Sequence, residues 1–148
     1  MTNPSLDFFT NLVGKPLAEN SPSPVSKWLD GILVSLEHGS ITVEYTIRKD
    51  MCNPAHILHG GVAATMMDDI IGMTIFSMGH TAFYSTVNLS IDYLFSAKIG
   101  EKVTATSKII RVGKKIAHAE GEIRNEQGTI IAKCTTNLVS TSNEIKSL

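Results

Sequence analysis

Residues 41–48 alternate strictly between apolar and polar side chains, and the apolar ones are Ile41, Val43, Tyr45 and Ile47. Alternation with a period of two predicts a strand that buries one of its faces. An apolar run over residues 32–36 precedes this strand and ends at His38 and Gly39. A glycine at that point suits a tight turn, so the sequence predicts that the two runs form a hairpin.

Residues 59–78 contain no proline and are rich in alanine, methionine and isoleucine, a composition that favours one long helix. Its apolar side chains cover most of the circumference: Val62, Met66, Met67, Ile70, Ile71, Ile75 and Phe76. A helix that is apolar on nearly every side is buried on nearly every side.

Four further runs with period-two patterning follow the helix, at about residues 83–95, 102–112, 116–124 and 129–139. Gly113 and a turn over residues 125–128 separate the last three runs as hairpins. Strands on both sides of one long buried helix predict an α+β architecture, in which an antiparallel sheet wraps around the helix.

Four prolines and a short apolar patch occupy the start of the chain. We therefore interpret residues 1–25 as an N-terminal helix and linker, and residues 26–148 as one domain. A chain of 148 residues fits a single domain.

The chain is 43% hydrophobic and 18% charged, with a formal net charge of -1. This is somewhat apolar for a monomer, which favours buried contacts between subunits. No basic run indicates a nucleic-acid partner, and no apolar run is long enough to predict a membrane span. Two cysteines without C-x-x-C spacing and no evident secretory signal make the cytoplasm the expected location.

Candidate chemistry lies at the start of the long helix and in the loop before it. Asn53 precedes the run His59-Gly60-Gly61, and Asp68 follows about two turns into the helix. A helix that begins at two glycines exposes backbone N–H groups and lets a ligand approach them closely. Because a carboxylate in an apolar helix is unfavourable to bury, Asp68 is expected to have partners or a chemical role, as a general base or a nucleophile.

This pattern resembles the PaaI-like branch of the hotdog-fold thioesterases, whose signature is an asparagine, His-Gly-Gly and then an acidic residue two turns into the helix. The resemblance extends through residues 87–100 and covers about residues 30–140. It implies a hotdog fold and hydrolysis of an acyl-CoA or aryl-acyl-CoA thioester to free acid and CoA. No cofactor or metal is expected. One position departs from the family pattern: His56 stands where the family usually has glycine.

The resemblance also implies roles for individual residues. Asn53 and His59 would position the thioester carbonyl or the water. Thr86 would hold the water, while the helix start itself places Gly60 and Gly61 where their backbone could bind and polarise the carbonyl. Strict alternation along the strand conflicts with the role of Thr86. It places Val87 and Leu89 on the face toward the helix and Thr86 on the opposite face. A strand bulge would reverse that orientation.

Helix geometry adds a constraint on the site. Gly60 and Asp68 are eight residues apart, which is about 12 Å along one helix axis, so both cannot contact one carbonyl carbon. Two antiparallel copies of the helix around a two-fold axis would bring Gly60 of one chain near Asp68 of the other. The sequence therefore predicts a homodimer or a dimer of dimers, with sites shared between chains.

Other interpretations of these residues stay open. His56, His59, Asp68 and Asp69 are candidate metal ligands, Cys52 is a candidate nucleophile, and Asp69 can also be a solvated or structural acid. The rival functions are a hotdog hydratase and a non-catalytic acyl-CoA-binding module. Phe76, Phe83, Tyr84 and Phe95 are candidates for the acyl pocket, and Lys98, Arg111, Lys114 and Lys115 for the CoA phosphates.

Overall fold

The computed structural model describes residues 2–144. Its helices are α1 (Pro4–Leu12), α2 (Leu17–Asn20), α3 (Pro24–Leu29) and α4 (Gly60–Ser77). Its strands are β1 (Ile32–Glu37), β2 (Ser40–Thr46), β3 (Ala82–Tyr93), β4 (Lys102–Val112), β5 (Ile116–Asn125) and β6 (Ile130–Glu144). A short 3-10 turn, Lys49–Met51, leads from β2 into the loop before α4. The predicted long helix and strands are confirmed, and β6 extends beyond its predicted end at residue 139.

The six strands form one antiparallel sheet in the order β1-β2-β4-β5-β6-β3. The predicted β1–β2 hairpin is confirmed, and Gly39 closes it with a φ of 75° that glycine adopts without strain. β3 follows α4 in the chain and, among the strands that the structure describes, pairs only with β6, so β3 lies at one edge of the sheet. The α+β architecture predicted from the sequence is therefore confirmed.

Small side chains let α4 lie close against the sheet. The inner face beneath the helix carries Ala105, Ala117, Ala119 and Ala132, all of them fully buried. At Gly121, an added Cβ would lie 3.0 Å from Cys134 Sγ and 3.5 Å from Ile71 Cδ1, so even a methyl group at this strand position would be in tight contact with its neighbours. Within residues 2–144, no helix is both long and apolar enough to span a bilayer.

Helices α1–α3 form the N-terminal segment, residues 4–29, which packs against α4 and the start of β1. Asn3 Nδ2 donates to Ser77 O at 3.0 Å, which joins the start of α1 to the end of α4. Arg48 donates to Leu29 O at 3.0 Å, which holds the end of α3. The division of the chain at residue 25 remains a prediction.

Asp69 makes the third attachment of the N-terminal segment. Ser26 Oγ lies 2.8 Å from both carboxylate oxygens of Asp69 and donates to them. Burial raises the pKa of Asp69, the hydrogen bond from Ser26 lowers it, and the nearby Asp68 carboxylate raises it, so that the pKa moves from 3.8 to about 6. Burial, together with the charge of Asp69, also raises the pKa of Tyr45 well above 10.

The pKa of Asp69 predicts how stability depends on pH. Between about pH 4 and 6 the folded protein keeps a proton on Asp69 that the unfolded chain has lost. Protonated Asp69 therefore favours the folded state, and this contribution to stability is complete below pH 4 and disappears as the pH rises through 6. At 1.36 kcal/mol per pKa unit, the loss is about 3 kcal/mol. Asparagine carries no titrating proton, so Asp69→Asn should not lose this stability. In urea titrations between pH 4 and 7, we expect the free energy of unfolding of the variant to rise relative to that of the parent.

Asp7→Asn, at an exposed position of α1, controls for the removal of one negative charge. An Asp69→Asn curve that runs parallel to the parent across this pH range would contradict the raised pKa.

Candidate active site

The loop before α4 is organised around Asn53. Asn53 Oδ1 accepts from the backbone N–H of Ala55 at 3.0 Å and from that of Ile57 at 3.4 Å. The backbone N–H of Asn53 donates to Ile57 O at 2.9 Å, which closes the loop on itself. Its amide oxygen is therefore engaged in holding the loop, and the amide Nδ2 remains to contact a ligand.

His56 has a φ of 61°, in the left-handed region. Only glycine adopts this conformation without a steric penalty, which for other residues is about 1–2 kcal/mol. This explains why the family that the sequence resembles usually has glycine at this position. The histidine keeps the loop conformation, at the expense of backbone strain.

The start of α4 leaves one backbone donor free. His59 is the N-cap residue, and its Nδ1 accepts from the N–H of Gly61 at 2.9 Å. The N–H groups of Val62 and Ala63 both donate to His59 O at 3.0 Å. Among residues 2–144, the N–H of Gly60 has no hydrogen-bond partner, so the expectation of two free glycine amides is met only at Gly60.

The cap also fixes which nitrogen of His59 carries a proton. Nδ1 accepts a hydrogen bond, so in the neutral ring the proton is on Nε2, which is then a donor. His59 is exposed. The helix start thus offers two donors to a ligand, the Gly60 N–H and His59 Nε2–H.

Tyr93 closes one side of the helix start. Its hydroxyl donates to Gly60 O at 2.8 Å, and a Cβ added at Gly60 would lie 3.2 Å from the tyrosine ring. Glycine at residue 60 therefore accommodates the close approach of β3. Sequence reasoning did not select Tyr93, although its alternation with Leu89 and Ile91 places it on the helix-facing side of the strand.

Asp68 and Thr86 contact each other directly. Thr86 Oγ1 donates to Asp68 Oδ1 at 2.7 Å. Strict alternation predicted the opposite orientation of Thr86, and a bulge is the reason for the difference. Thr86 pairs with Leu138 whereas Asn88 pairs with Asn137, so Val87 is an extra residue in β3 and the strand reverses its faces there.

The burial of the two adjacent carboxylates differs from the expectation. Asp68 is exposed in the single chain, whereas Asp69, about 100° round the helix, faces Ser26 and is half-buried. The argument from unfavourable burial therefore applies to Asp69 rather than Asp68. Asp69 is a structural acid and is not freely solvated.

A cavity of about 590 Å³ opens beside Asp68 and Thr86. It lies between the second half of α4, β3 and the N-terminal segment, and its lining includes Phe9, Ser26, Asp69, Met73, Phe76, Phe83 and Tyr84. Three of the four aromatic residues suggested for an acyl pocket line it. Phe95 does not, and its side chain is 65% exposed.

The candidate residues form two groups within one chain. Asp68 and Thr86 line the cavity, whereas Asn53, His59, Gly60 and Gly61 lie at the other end of the helix and do not line it. This division agrees with the separation of about 12 Å along the helix axis between Gly60 and Asp68.

Other candidate chemistry finds little support. In the part of the chain that the structure describes, no three His, Cys, Asp or Glu side chains converge on a point where a metal ion could bind. Burial raises the pKa of Cys52, and its Sγ donates to Arg48 O at 3.3 Å. A raised pKa disfavours the thiolate that a nucleophilic cysteine needs.

Sequence reasoning also missed Ser26 and Phe9, which contact α4 from the N-terminal segment. Ser26 precedes Asp69 by 43 residues, and no local pattern connects the two positions. The apolar patch at the start of the chain was the one available signal for Phe9.

Comparison with known proteins identifies the family. The profile of the thioesterase superfamily matches residues 55–132. Human acyl-coenzyme A thioesterase 13 is 30% identical over 102 residues, which are 68% of this chain and 73% of that protein. A Streptococcus mutans protein solved with bound acetyl-CoA is 25% identical, with a TM-score of 0.73 over 79% of this chain and 92% of that one.

The fold extends over the whole chain in a third comparison. The Escherichia coli PaaI protein, from the phenylacetic acid degradation operon, has a TM-score of 0.82 at 20% identity, and the match covers 99% of this chain and 100% of that one. The predicted resemblance and the hotdog fold are thereby confirmed. This chain belongs to the thioesterase superfamily, as a thioester hydrolase with the PaaI-like hotdog fold.

Proposed function

We propose that this protein hydrolyses acyl-CoA thioesters to the free acid and CoA, with Asp68 as the catalytic carboxylate. The observation that carries the proposal is the hydrogen bond from Thr86 to Asp68 at the mouth of a largely apolar cavity. A carboxylate held by a hydroxyl group beside a space for an apolar acyl chain is suited to attack on a thioester carbonyl. The acyl-CoA thioesterase similar to this chain supports the choice of substrate.

The contacts of Asp68 favour activation of water. Thr86 donates to Oδ1, which leaves Oδ2 to accept a proton from a water molecule, while the lone pairs of the threonine hydroxyl help to hold that water. The water oxygen attacks the thioester carbon and Asp68 takes its proton. When the tetrahedral intermediate collapses, the C–S bond breaks, and the proton on Asp68 passes to the CoA thiolate.

The helix start supplies the other half of the site. The free N–H of Gly60 lies at the positive end of the α4 dipole, where it stabilises the negative charge that develops on the carbonyl oxygen. His59 Nε2–H and Asn53 Nδ2 are further donors on the same side. Gly61 lets a ligand approach the backbone closely but offers no free donor, because its N–H already donates to His59 Nδ1.

Two chains are needed to bring these halves together, and the free edge of the sheet supports that arrangement. β3 is a 12-residue edge strand, with exposed fractions of 49% at Phe83, 61% at Val87 and 55% at Tyr93. Long apolar edge strands are rare in monomers, because they pair with other chains. Pairing of two β3 edges about a two-fold axis gives a homodimer with two equal sites, and dimers can associate further into a dimer of dimers.

The CoA group extends from the helix start in this arrangement. Lys98 lies next to Ala97, whose carbonyl accepts from the N–H of Leu58 just before the helix. Lys98 is exposed and takes part in none of the three ion pairs within residues 2–144. We propose Lys98 as a phosphate contact, with Arg111, Lys114 and Lys115 as further candidates. The two free cysteines, Cys52 and Cys134, suit a reducing cytoplasm.

Removing the charge of Asp68 tests the catalytic proposal. We expect Asp68→Asn to lower kcat by about 10²- to 10⁴-fold, since the amide keeps the size of the side chain but is no base. Asp69→Asn, on the adjacent residue, should have a much milder effect. Release of free thiol from a panel of acyl-CoA substrates measures both.

Parental turnover in Asp68→Asn would show that another group is the base. Substrate binding without turnover by the parent would instead favour a non-catalytic acyl-CoA-binding module, and addition of water to an enoyl-CoA would favour a hydratase.

Mixing two inactive variants tests the shared site. Proline is well tolerated at the first position of a helix and lacks an N–H, so Gly60→Pro removes the proposed donor, whereas Gly60→Ala crowds Tyr93 similarly but keeps the donor. After subunit exchange with Asp68→Asn, half of the dimers are heterodimers with one complete site of two, so we expect activity to recover to about a quarter of the parental value.

Gly60→Ala alone should keep much more activity than Gly60→Pro. A fully active monomer, or no recovery once exchange has been demonstrated by mass spectrometry of differently tagged chains, would rule out sites shared between chains.

A further inference from the structure

The N-terminal segment forms one wall of the cavity beside Asp68. Phe9, Ser21, Pro22, Ser23 and Ser26 all line it, and they lie outside residues 55–132, which match the thioesterase superfamily. The wall that faces α4 is therefore contributed by a part of the chain to which the family match assigns no role.

Phe9 lies where the cavity meets the second half of α4. Its side chain is 5% exposed, and its ring packs edge to face against Phe76, with 6.0 Å between centroids. Phe76 is eight residues after Asp68, which is about 12 Å along the helix. Phe9 and Phe76 therefore form a packed pair in the cavity lining, about 12 Å along the helix axis from Asp68.

Hydrogen bonds at both ends hold this wall in place. Asn3 binds the end of α4 through Ser77 O, and Ser26 binds the middle of α4 through Asp69. α1 cannot move away from α4 without breaking the first bond, and α3 cannot do so without breaking the second. The wall is thus part of the folded structure, and its position relative to Asp68 is set.

We propose that the N-terminal segment limits the length of the acyl group, with Phe9 as the residue that determines specificity. The inference rests on the proposed thioester hydrolysis, which places the reacting carbonyl beside Asp68. An extended alkyl chain rises about 1.25 Å per carbon, so the distance of about 12 Å accommodates roughly ten carbons. The site therefore accepts medium-chain acyl groups, and longer chains collide with Phe9.

Hydrolysis of straight-chain acyl-CoAs from four to sixteen carbons tests this limit. The parent should show kcat/KM rising with length and then falling beyond about ten carbons. In Phe9→Leu the fall should move to longer chains, and the ratio of kcat/KM for fourteen carbons to that for eight should rise at least about tenfold, the discrimination typical of a methylene that does not fit. The change should be mainly in KM, because Phe9 is remote from Asp68.

Phe8→Leu is the matched control. Phe8 is in the same helix and packs against Phe9 with 5.2 Å between ring centroids, but it does not line the cavity. It should lose a similar packing contact and keep the parental length profile. A shift of equal size in both variants would mean that loosening of α1, rather than the end wall, changes the preference, and would overturn the proposal.

A binding measurement separates this inference from the proposed function. Non-hydrolysable S-alkyl-CoA thioethers with eight and fourteen carbons can be titrated calorimetrically into the parent, Phe9→Leu and Phe8→Leu. A selective gain of about tenfold in affinity for the longer thioether in Phe9→Leu supports the end wall, even if no acyl-CoA is hydrolysed. Unchanged relative affinities in folded Phe9→Leu would overturn the end wall, even if hydrolysis is confirmed.

Discussion

The close approach of α4 to the sheet is the constraint on which the other features depend. Gly121 leaves space for Ile71 and Met67 of the helix, and Thr74 shares a hydrogen bond with Ser107 on β4. Together these contacts fix both the depth and the rotation of the helix. Because the rotation is fixed, each position along α4 faces one particular neighbour, and the chemistry of the site follows from which residue stands at which angle.

Two adjacent carboxylates illustrate that consequence. Residues 68 and 69 differ by about 100° around the helix, so Asp68 faces the strand and binds Thr86, while Asp69 faces the N-terminal segment and binds Ser26. The first is accessible for chemistry. The second is shielded, and its pKa is raised to about 6. Identical side chains in consecutive positions thus have different partners and different exposure, although both line the cavity.

Periodicity predicted the elements because each buries one face against the same core. The hairpin, the long helix and the four later strands all followed from local spacing, and the motif at Asn53, His59 and Asp68 indicated the family. The orientation of Thr86 did not follow, because a bulge depends on the register with β6 rather than on β3 alone. The Ser26–Asp69 bond joins residues 43 apart, and no local pattern encodes such a contact.

The bulge at Val87 has a second effect on the molecule as a whole. An extra residue bends and twists an edge strand, so the exposed edge of β3 is not a flat, regular ladder of backbone donors and acceptors. A flat, regular edge would accept any extended chain and could grow by indefinite strand addition. The irregularity that turns Thr86 toward Asp68 therefore also makes the exposed edge of β3 a poorer template for indefinite strand addition.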